Sequence, residues 1–236
     1  VNKEITVLFG GARALLMHAA HPLIAAGAIQ TSFYQRDPWK RLIRTLSLQN
    51  SVTFGNKQEA KESAHRINKL HEVIKGNDEV TGGYYDALDH EQLLWVHACL
   101  QISSIYFYEM TVKKLSDDEK NQYHLENMKA AELVLVDIEK MPDTHEGLKN
   151  WVISKSQEEG YLVATDVAED VKNIIGGGPV PRHIKPIWPF IAFTAFNTLP
   201  KEFKEIYGIS DSKIKNIVLG LNLKLLKYTR PFLPPF

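Results

Sequence analysis

Hydrophobic residues recur every three or four positions along nearly the whole chain, which is the spacing of amphipathic α-helices. Alternation of apolar and polar residues, which is typical of half-buried strands, is confined to short fragments. No internal repeat is visible, and no long polar linker divides the chain. The pattern therefore predicts an all-α fold, with about eight to ten helices in a single domain over residues 1–236.

Capping residues and helix breakers set the limits of the predicted helices. Asp37 is a predicted N-cap before Pro38, and Asn56 and Ser116 each precede a glutamate three residues further on, as in a capping box. The predicted helices cover residues 11–35 with a break or kink at Pro22, 38 onward, 57–75 with a stop at Gly76, about 89–115, 116–141, 144–176, and about 187–199, 200–207 and 211–229.

Net charge, hydropathy and cysteine content limit the classes of protein to which this chain can belong. The 28 basic and 28 acidic side chains cancel, which argues against nucleic acid or an anionic membrane surface as the main partner. The longest apolar stretch carries two histidines and a proline and is too short to predict a transmembrane segment.

Cys99 is the single cysteine, so an internal disulfide is excluded. A reducing compartment fits this composition, and we expect a cytoplasmic protein.

An unusual stripe of polar residues begins at position 41. Arg41, Arg44 and Thr45 have i, i+3, i+4 spacing, so their side chains are neighbours on one face of the predicted helix. Two interpretations are open at this point. The stripe either faces a bound ligand, or it forms a solvent-facing basic patch together with Arg36 and Lys40.

Three histidines lie in apolar surroundings on separate predicted helices. His71 and His97 fall within apolar stripes, and His21 lies in an alanine-rich segment beside Pro22. A single inward histidine is most often a hydrogen-bonded core residue. Three of them, near a basic stripe, favour a cofactor site, because a buried haem needs one imidazole on iron, apolar walls and cations for its two propionates.

The order of these segments resembles the MpaB-type oxygenase and rubber oxygenase (latex-clearing protein) catalytic-domain family. The similarity spans most of the chain, and its strength comes from the shared order of individually loose motifs. The motifs are Ala20-His21-Pro22, Asp37-Pro38, "FG" at 54–55, "RINKLHEVIKG" at 66–76, "YYDALDHEQLLWVHACL" at 84–100, "LSDDEKNQYHLENMKAA" and "LPKEFKEIYGI".

The resemblance implies a globin-like helical core that holds haem b, and oxidation of a small apolar substrate by O2. Rubber oxygenases line the haem pocket with an Arg-x-x-Lys-Thr cluster, which matches Arg41, Arg44 and Thr45 here, with Arg44 in place of the lysine. The later histidine that ligates iron best matches His71, which is expected to bind iron through Nε2 and to donate from its other ring nitrogen to a carbonyl or carboxylate. His97 is the alternative ligand or a supporting group, and His21 a distal or structural residue.

Two other classes remain open from the sequence. A haem-free all-α binding or scaffold protein would use the aromatic-rich segments to line an apolar ligand cavity. A non-haem metal hydrolase has the least support, because no second metal ligand occurs at a suitable spacing. The sequence indicates neither the substrate nor the oligomeric state.

Overall fold

The structure, a computed structural model, describes residues 1–31 and 37–232. Within these ranges the chain forms eleven α-helices and one small β-hairpin, which confirms the predicted all-α class. The helices are α1 (Phe9–Ala19), α2 (Pro22–Thr31), α3 (Pro38–Phe54), α4 (Lys57–His71), α5 (His90–Thr111), α6 (Asp117–Leu133), α7 (His145–Ser156), α8 (Asp166–Gly177), α9 (Trp188–Asn197), α10 (Lys201–Ile206) and α11 (Lys213–Thr229). The strands are β1 (Lys75–Asn77) and β2 (Tyr84–Asp86), and single 3-10 turns cover Ile5–Leu8 and Arg230–Phe232.

The predicted helix starts are confirmed by their capping hydrogen bonds. The Asp37 carboxylate accepts from the Lys40 amide at 2.9 Å. Asn56 and Ser116 each form a reciprocal capping box with the glutamate at the third helical position. These local contacts satisfy amide groups that the helix itself leaves unpaired, which is why the sequence alone places the starts.

One predicted helix end was wrong because a hairpin intervenes. The helix predicted to reach Gly76 ends at His71, and residues 75–77 pair antiparallel with residues 84–86. A Cβ on Gly76 would lie only 2.9 Å from the Tyr85 hydroxyl, so this glycine permits close packing across the hairpin. Three-residue strands are too short to show a period of two.

The long helix predicted over 144–176 is two helices, α7 and α8. Gly160 takes a positive φ of 76° between them, and the Thr165 hydroxyl caps α8 at the Ala168 amide.

The ends predicted near residues 115 and 141 were also too late, since α5 ends at Thr111 and α6 at Leu133. The helix predicted over 11–35 breaks before Pro22, as expected, while residues 32–36, including Arg36, lie outside the described part of the chain.

A continuous hydrophobic core surrounds α1, which packs against α5, α8 and α9. Leu16, Met17 and Trp95 are fully buried within it, as is Cys99. Gly10 lets α1 approach α5 closely, because a Cβ there would lie 3.0 Å from the Ser103 carbonyl oxygen. The interior around α1 is therefore closely packed and mainly apolar.

Helix length and hydropathy bear on the expectation of no transmembrane segment. Within the described ranges, no individual helix has both the length and the apolar character needed to cross a bilayer. The N-terminal pair, residues 5–19 and 22–31, reaches that length only in combination and is bent by 103°.

Truncation of a core leucine tests the packing. Leu148 on α7 is fully buried, whereas Leu125 on α6 is 51% exposed. We expect Leu148→Ala to lower the free energy of unfolding by about 2–5 kcal/mol, through lost burial and the cavity left behind. Leu125→Ala should change it by less than about 0.5 kcal/mol. Urea denaturation of both variants measures the difference, and equal losses would contradict the described core.

Candidate functional site

Helices α3 and α4 form an αα-hairpin that carries most of the predicted site residues. A two-residue connection, Gly55 and Asn56, joins them, and a side chain at Gly55 would clash with the Ser51 carbonyl oxygen. Residues equally far from this turn lie at similar levels along the hairpin, because both helices rise by the same amount per residue. By residue count, we expect Arg41 near the start of α3 to lie at about the level of His71 at the end of α4.

The structure places the polar stripe on an open surface. No residue of α3 is fully buried; Arg44 and Thr45 are exposed and Arg41 is half-buried. Arg44 borders a mainly apolar groove of about 520 Å³, whereas Arg41 and Thr45 do not line it. The groove is lined by Lys40, Ile43, Arg44, Ser47, Leu48 and Arg66. Its three cations and apolar floor suit a ligand with an apolar body and an anionic group.

His71 is half-buried at the last position of α4. Burial lowers the pKa of His71, which keeps its imidazole neutral at physiological pH. The Nδ1 atom is buried and has no hydrogen-bond partner among the described residues. The expectation that its second nitrogen donates to a carbonyl or carboxylate is therefore wrong for Nδ1 in this structure.

Contacts with neighbouring elements fix the chain around His71. Asn68, one turn earlier on α4, donates through Nδ2 to the Leu133 carbonyl at 3.0 Å. Beyond His71, the Gln30 side chain of α2 donates to the Val73 carbonyl at 3.0 Å. The imidazole thus lies where α2, α4 and the β-hairpin meet, on a backbone held from both sides.

His21 lies in a different, aromatic environment at the break between α1 and α2. Its ring makes an edge contact with Tyr161 at 4.6 Å between centroids and lies 5.8 Å from Trp95. Burial lowers the pKa of His21 to about 4, and Nδ1 has no hydrogen-bond partner in the described structure. The sequence correctly singled out a buried histidine here, but it is packed among aromatic side chains.

His97 is half-buried on α5. Its Nε2 atom is buried without a described partner, and burial, with a smaller effect of nearby His124, lowers its pKa to about 4. His124 donates through Nε2 to the Pro142 carbonyl at 2.8 Å and accepts through Nδ1 from Gln101 at 2.9 Å. The sequence did not indicate this polar cluster, because His124 lies on a helix with little amphipathic pattern.

Arg13 is a second buried group that the sequence analysis missed. Its Nη1 donates to the Ser103 hydroxyl at 2.6 Å, its Nε donates to the Thr198 carbonyl at 3.0 Å, and its guanidinium lies 5.1 Å from the Tyr106 ring centre. Burial lowers its pKa to about 10, so it stays charged near neutral pH. A lone arginine in the apolar run around residues 12–17 was the signal that could have revealed it.

Across the described residues, no three or more His, Cys, Asp or Glu side chains come together as a metal-binding group. A haem needs fewer protein ligands, since the porphyrin itself supplies four nitrogens and a single imidazole completes the attachment. His71 has a neutral ring and an unpartnered buried nitrogen and lies on the hairpin that carries the cationic groove, but it is not one of the residues that line the groove.

The all-α fold, together with family comparison, defines the class of protein as an oxygenase catalytic domain. Residues 1–223 match the family model described as "ER-bound oxygenase mpaB/B'/Rubber oxygenase, catalytic domain", and the chain belongs to this family. The resemblance inferred from the order of its motifs is thereby confirmed. No curated protein and no solved structure gives a significant match.

Buried histidines also predict how stability depends on pH. Burial lowers the pKa from 6.5 to about 4 at His18, His21, His97 and His145. Below about pH 6.5 the unfolded chain takes up protons that the folded chain excludes until about pH 4, so stability is complete above this window and falls as the pH drops through it.

A single substitution should reduce that dependence. His18→Gln removes one titrating ring while keeping a side-chain donor for the Val96 carbonyl, which His18 Nε2 contacts at 3.0 Å. We expect the slope of unfolding free energy against pH near pH 5 to fall by about 1.4 kcal/mol per pH unit. His65→Gln, at an exposed position, is the control. An unchanged slope for His18→Gln would contradict the described burial.

Proposed function

We propose that this protein is a haem b-dependent oxygenase that acts with O2 on a small apolar substrate. Membership of the oxygenase family supports the reaction class. The single structural observation that carries the haem assignment is the buried, unpartnered Nδ1 of a neutral His71. An unsatisfied polar atom in a buried position is costly, and iron bound at Nδ1, in place of the Nε2 ligand expected from the sequence, would relieve that cost.

The residues of the α3–α4 hairpin fit the needs of a haem. His71 would be the iron ligand, because a neutral imidazole is the form that coordinates metal. Ile43 and Leu48 provide apolar contact surface in the groove, and Arg44 provides a cation at its edge. When bound, the haem would supply the iron at which O2 is activated.

The polar stripe would hold and orient the cofactor. Arg41 and Arg44 would pair with the haem propionates, since a planar guanidinium binds a carboxylate through two parallel hydrogen bonds. Thr45, one position beyond Arg44, would donate a hydroxyl hydrogen bond to the bound ligand. Arg44 and Thr45 are exposed on α3 and Arg41 is half-buried, so a ligand that covers this face would also exclude water and strengthen these contacts.

His97 and His21 are second and third choices for the iron ligand. Each has an unpartnered buried nitrogen and a pKa lowered to about 4. His97 lies near the buried His124 polar cluster, and His21 is packed edge-on against Tyr161. Neither residue lies on the α3–α4 hairpin that carries the groove, and we propose supporting roles for them.

Haem reconstitution of matched histidine variants tests the iron ligand. The protein is titrated with haemin, unbound haemin is removed by gel filtration, and the Soret absorbance and iron content of the protein fraction are measured. We expect stoichiometric binding by the unaltered chain, loss of the Soret band in His71→Ala, and retention in His65→Ala, an exposed histidine on the same helix. Absence of a Soret band in the unaltered chain would contradict haem dependence. A full haem complement in His71→Ala would move the ligand to another histidine.

The propionate contacts have a separate test. We expect Arg41→Met combined with Arg44→Met to weaken haem binding about ten-fold or more, because two charge-assisted contacts are lost. Binding of a haem whose propionates are methyl esters should be nearly unaffected by the same substitutions. Lys149→Met on α7, an exposed position, serves as the control. Equal weakening with both haems would contradict a propionate role for the two arginines.

A haem-free binding protein is the second candidate, and one observation favours it. The groove beside α3 is open to solvent and combines an apolar floor with three cations, which suits an amphipathic carboxylate such as a fatty acid. Under this alternative, haemin titration gives no Soret band, whereas calorimetry detects a fatty acid that binds to the unaltered chain and binds weakly to Arg44→Met.

A further inference from the structure

Helix α11 presents a stripe of large apolar side chains to solvent. Ile214 is 75% exposed, Ile217 64%, Leu221 60%, Leu225 55% and Tyr228 75%. Their spacing of three or four residues places them along one face of the helix. At 17 residues the helix is about 26 Å long, so the stripe is an extended surface.

The opposite face of α11 attaches the helix to the rest of the protein. Leu223 and Leu226 are buried, at 5% and 4% exposure, and α11 packs against α9 and α5. Asn222 adds a hydrogen bond of 3.4 Å to the Thr194 hydroxyl of α9. Because this face is anchored, the apolar stripe is directed away from the core.

The charge on α11 has a single sign. The helix contains four lysines and no aspartate or glutamate. Lys213, Lys224 and Lys227 lie beside the apolar stripe, and no ion pair or hydrogen bond is described for their side chains within residues 1–31 and 37–232. The net charge of the whole chain is zero, but the surface of α11 is locally positive. The prediction from net charge did not take this local charge into account.

The combination of an exposed apolar stripe and unpaired lysines identifies a partner. A second copy docked through the same face would bring lysines close to lysines with no acidic residue of α11 to offset them. An anionic lipid bilayer instead provides an apolar layer into which the stripe can insert, and negatively charged headgroups that attract the lysines. We propose that α11 is an interfacial helix that docks this protein on anionic lipid bilayers, with the apolar stripe inserted at the headgroup boundary.

Vesicle binding of the full chain tests the proposal. Flotation uses vesicles of phosphatidylcholine alone, and vesicles of roughly two parts phosphatidylcholine to one part phosphatidylglycerol. We expect binding to the anionic vesicles that is weakened about ten-fold or more in Ile217→Ser/Leu221→Ser, since two inserted side chains are lost. Binding should also weaken several-fold in Lys213→Gln/Lys224→Gln/Lys227→Gln and in the presence of added salt.

A matched control separates the stripe from general surface hydrophobicity. Val73 and Val80 are 68% and 62% exposed and lie outside α11, so Val73→Ser/Val80→Ser should bind vesicles like the unaltered chain. Thermal unfolding followed by circular dichroism verifies that each variant folds. The proposal is overturned if the unaltered chain does not float with anionic vesicles, or if Ile217→Ser/Leu221→Ser floats equally well. It is also overturned if the chain is a dimer that this variant converts to a monomer.

Discussion

Burial of imidazole rings in an apolar interior is the constraint on which the candidate site depends. Removing an imidazolium from water is unfavourable, so the folded protein keeps these rings neutral at physiological pH. His71, His97 and His21 share this condition, and each retains a buried nitrogen without a hydrogen-bond partner in the described structure. A neutral imidazole with a free nitrogen is the form that binds metal, so the desolvation of His71 supports its proposed role as iron ligand.

Much of the fold followed from the sequence where the determining contacts are local. Asn56 and Ser116 predict the starts of their helices because each capping box is completed within three residues. The hairpin after His71 was missed because its strands have three residues each and their pairing depends on Gly76 lying against Tyr85. The break at Gly160 was missed because both flanking segments continue a helical pattern.

The candidate site was predictable only in part, for the same reason. Helical spacing correctly placed Arg41, Arg44 and Thr45 near one another, but it does not determine which way a helix turns in the fold. Packing of α3 on α4 leaves Arg44 at a groove and Thr45 exposed to solvent. Arg13 was missed because its two hydrogen-bond partners lie 90 and 185 residues away along the chain. No local sequence pattern predicts such contacts.

Local charge and local polarity carry more functional information in this protein than whole-chain averages do. Basic and acidic residues cancel overall, yet the α3–α4 groove and α11 are both cationic surfaces with apolar centres. The groove is concave and suits a small ligand, whereas the α11 stripe is long and convex and suits an extended surface. Under the two proposals, one chain would combine a site for an apolar substrate with a surface that binds the lipid phase in which such substrates concentrate.

The most direct measurement is nuclear magnetic resonance of the protein with 15N-labelled histidine, recorded before and after addition of ferric haem. Ferric iron broadens or strongly shifts the resonances of an imidazole bound to it. The account predicts that the ring signals of His71, assigned from its variant, disappear from their original positions while those of exposed His65 persist. Unchanged His71 signals, accompanied by loss of those of His97 or His21, would contradict it.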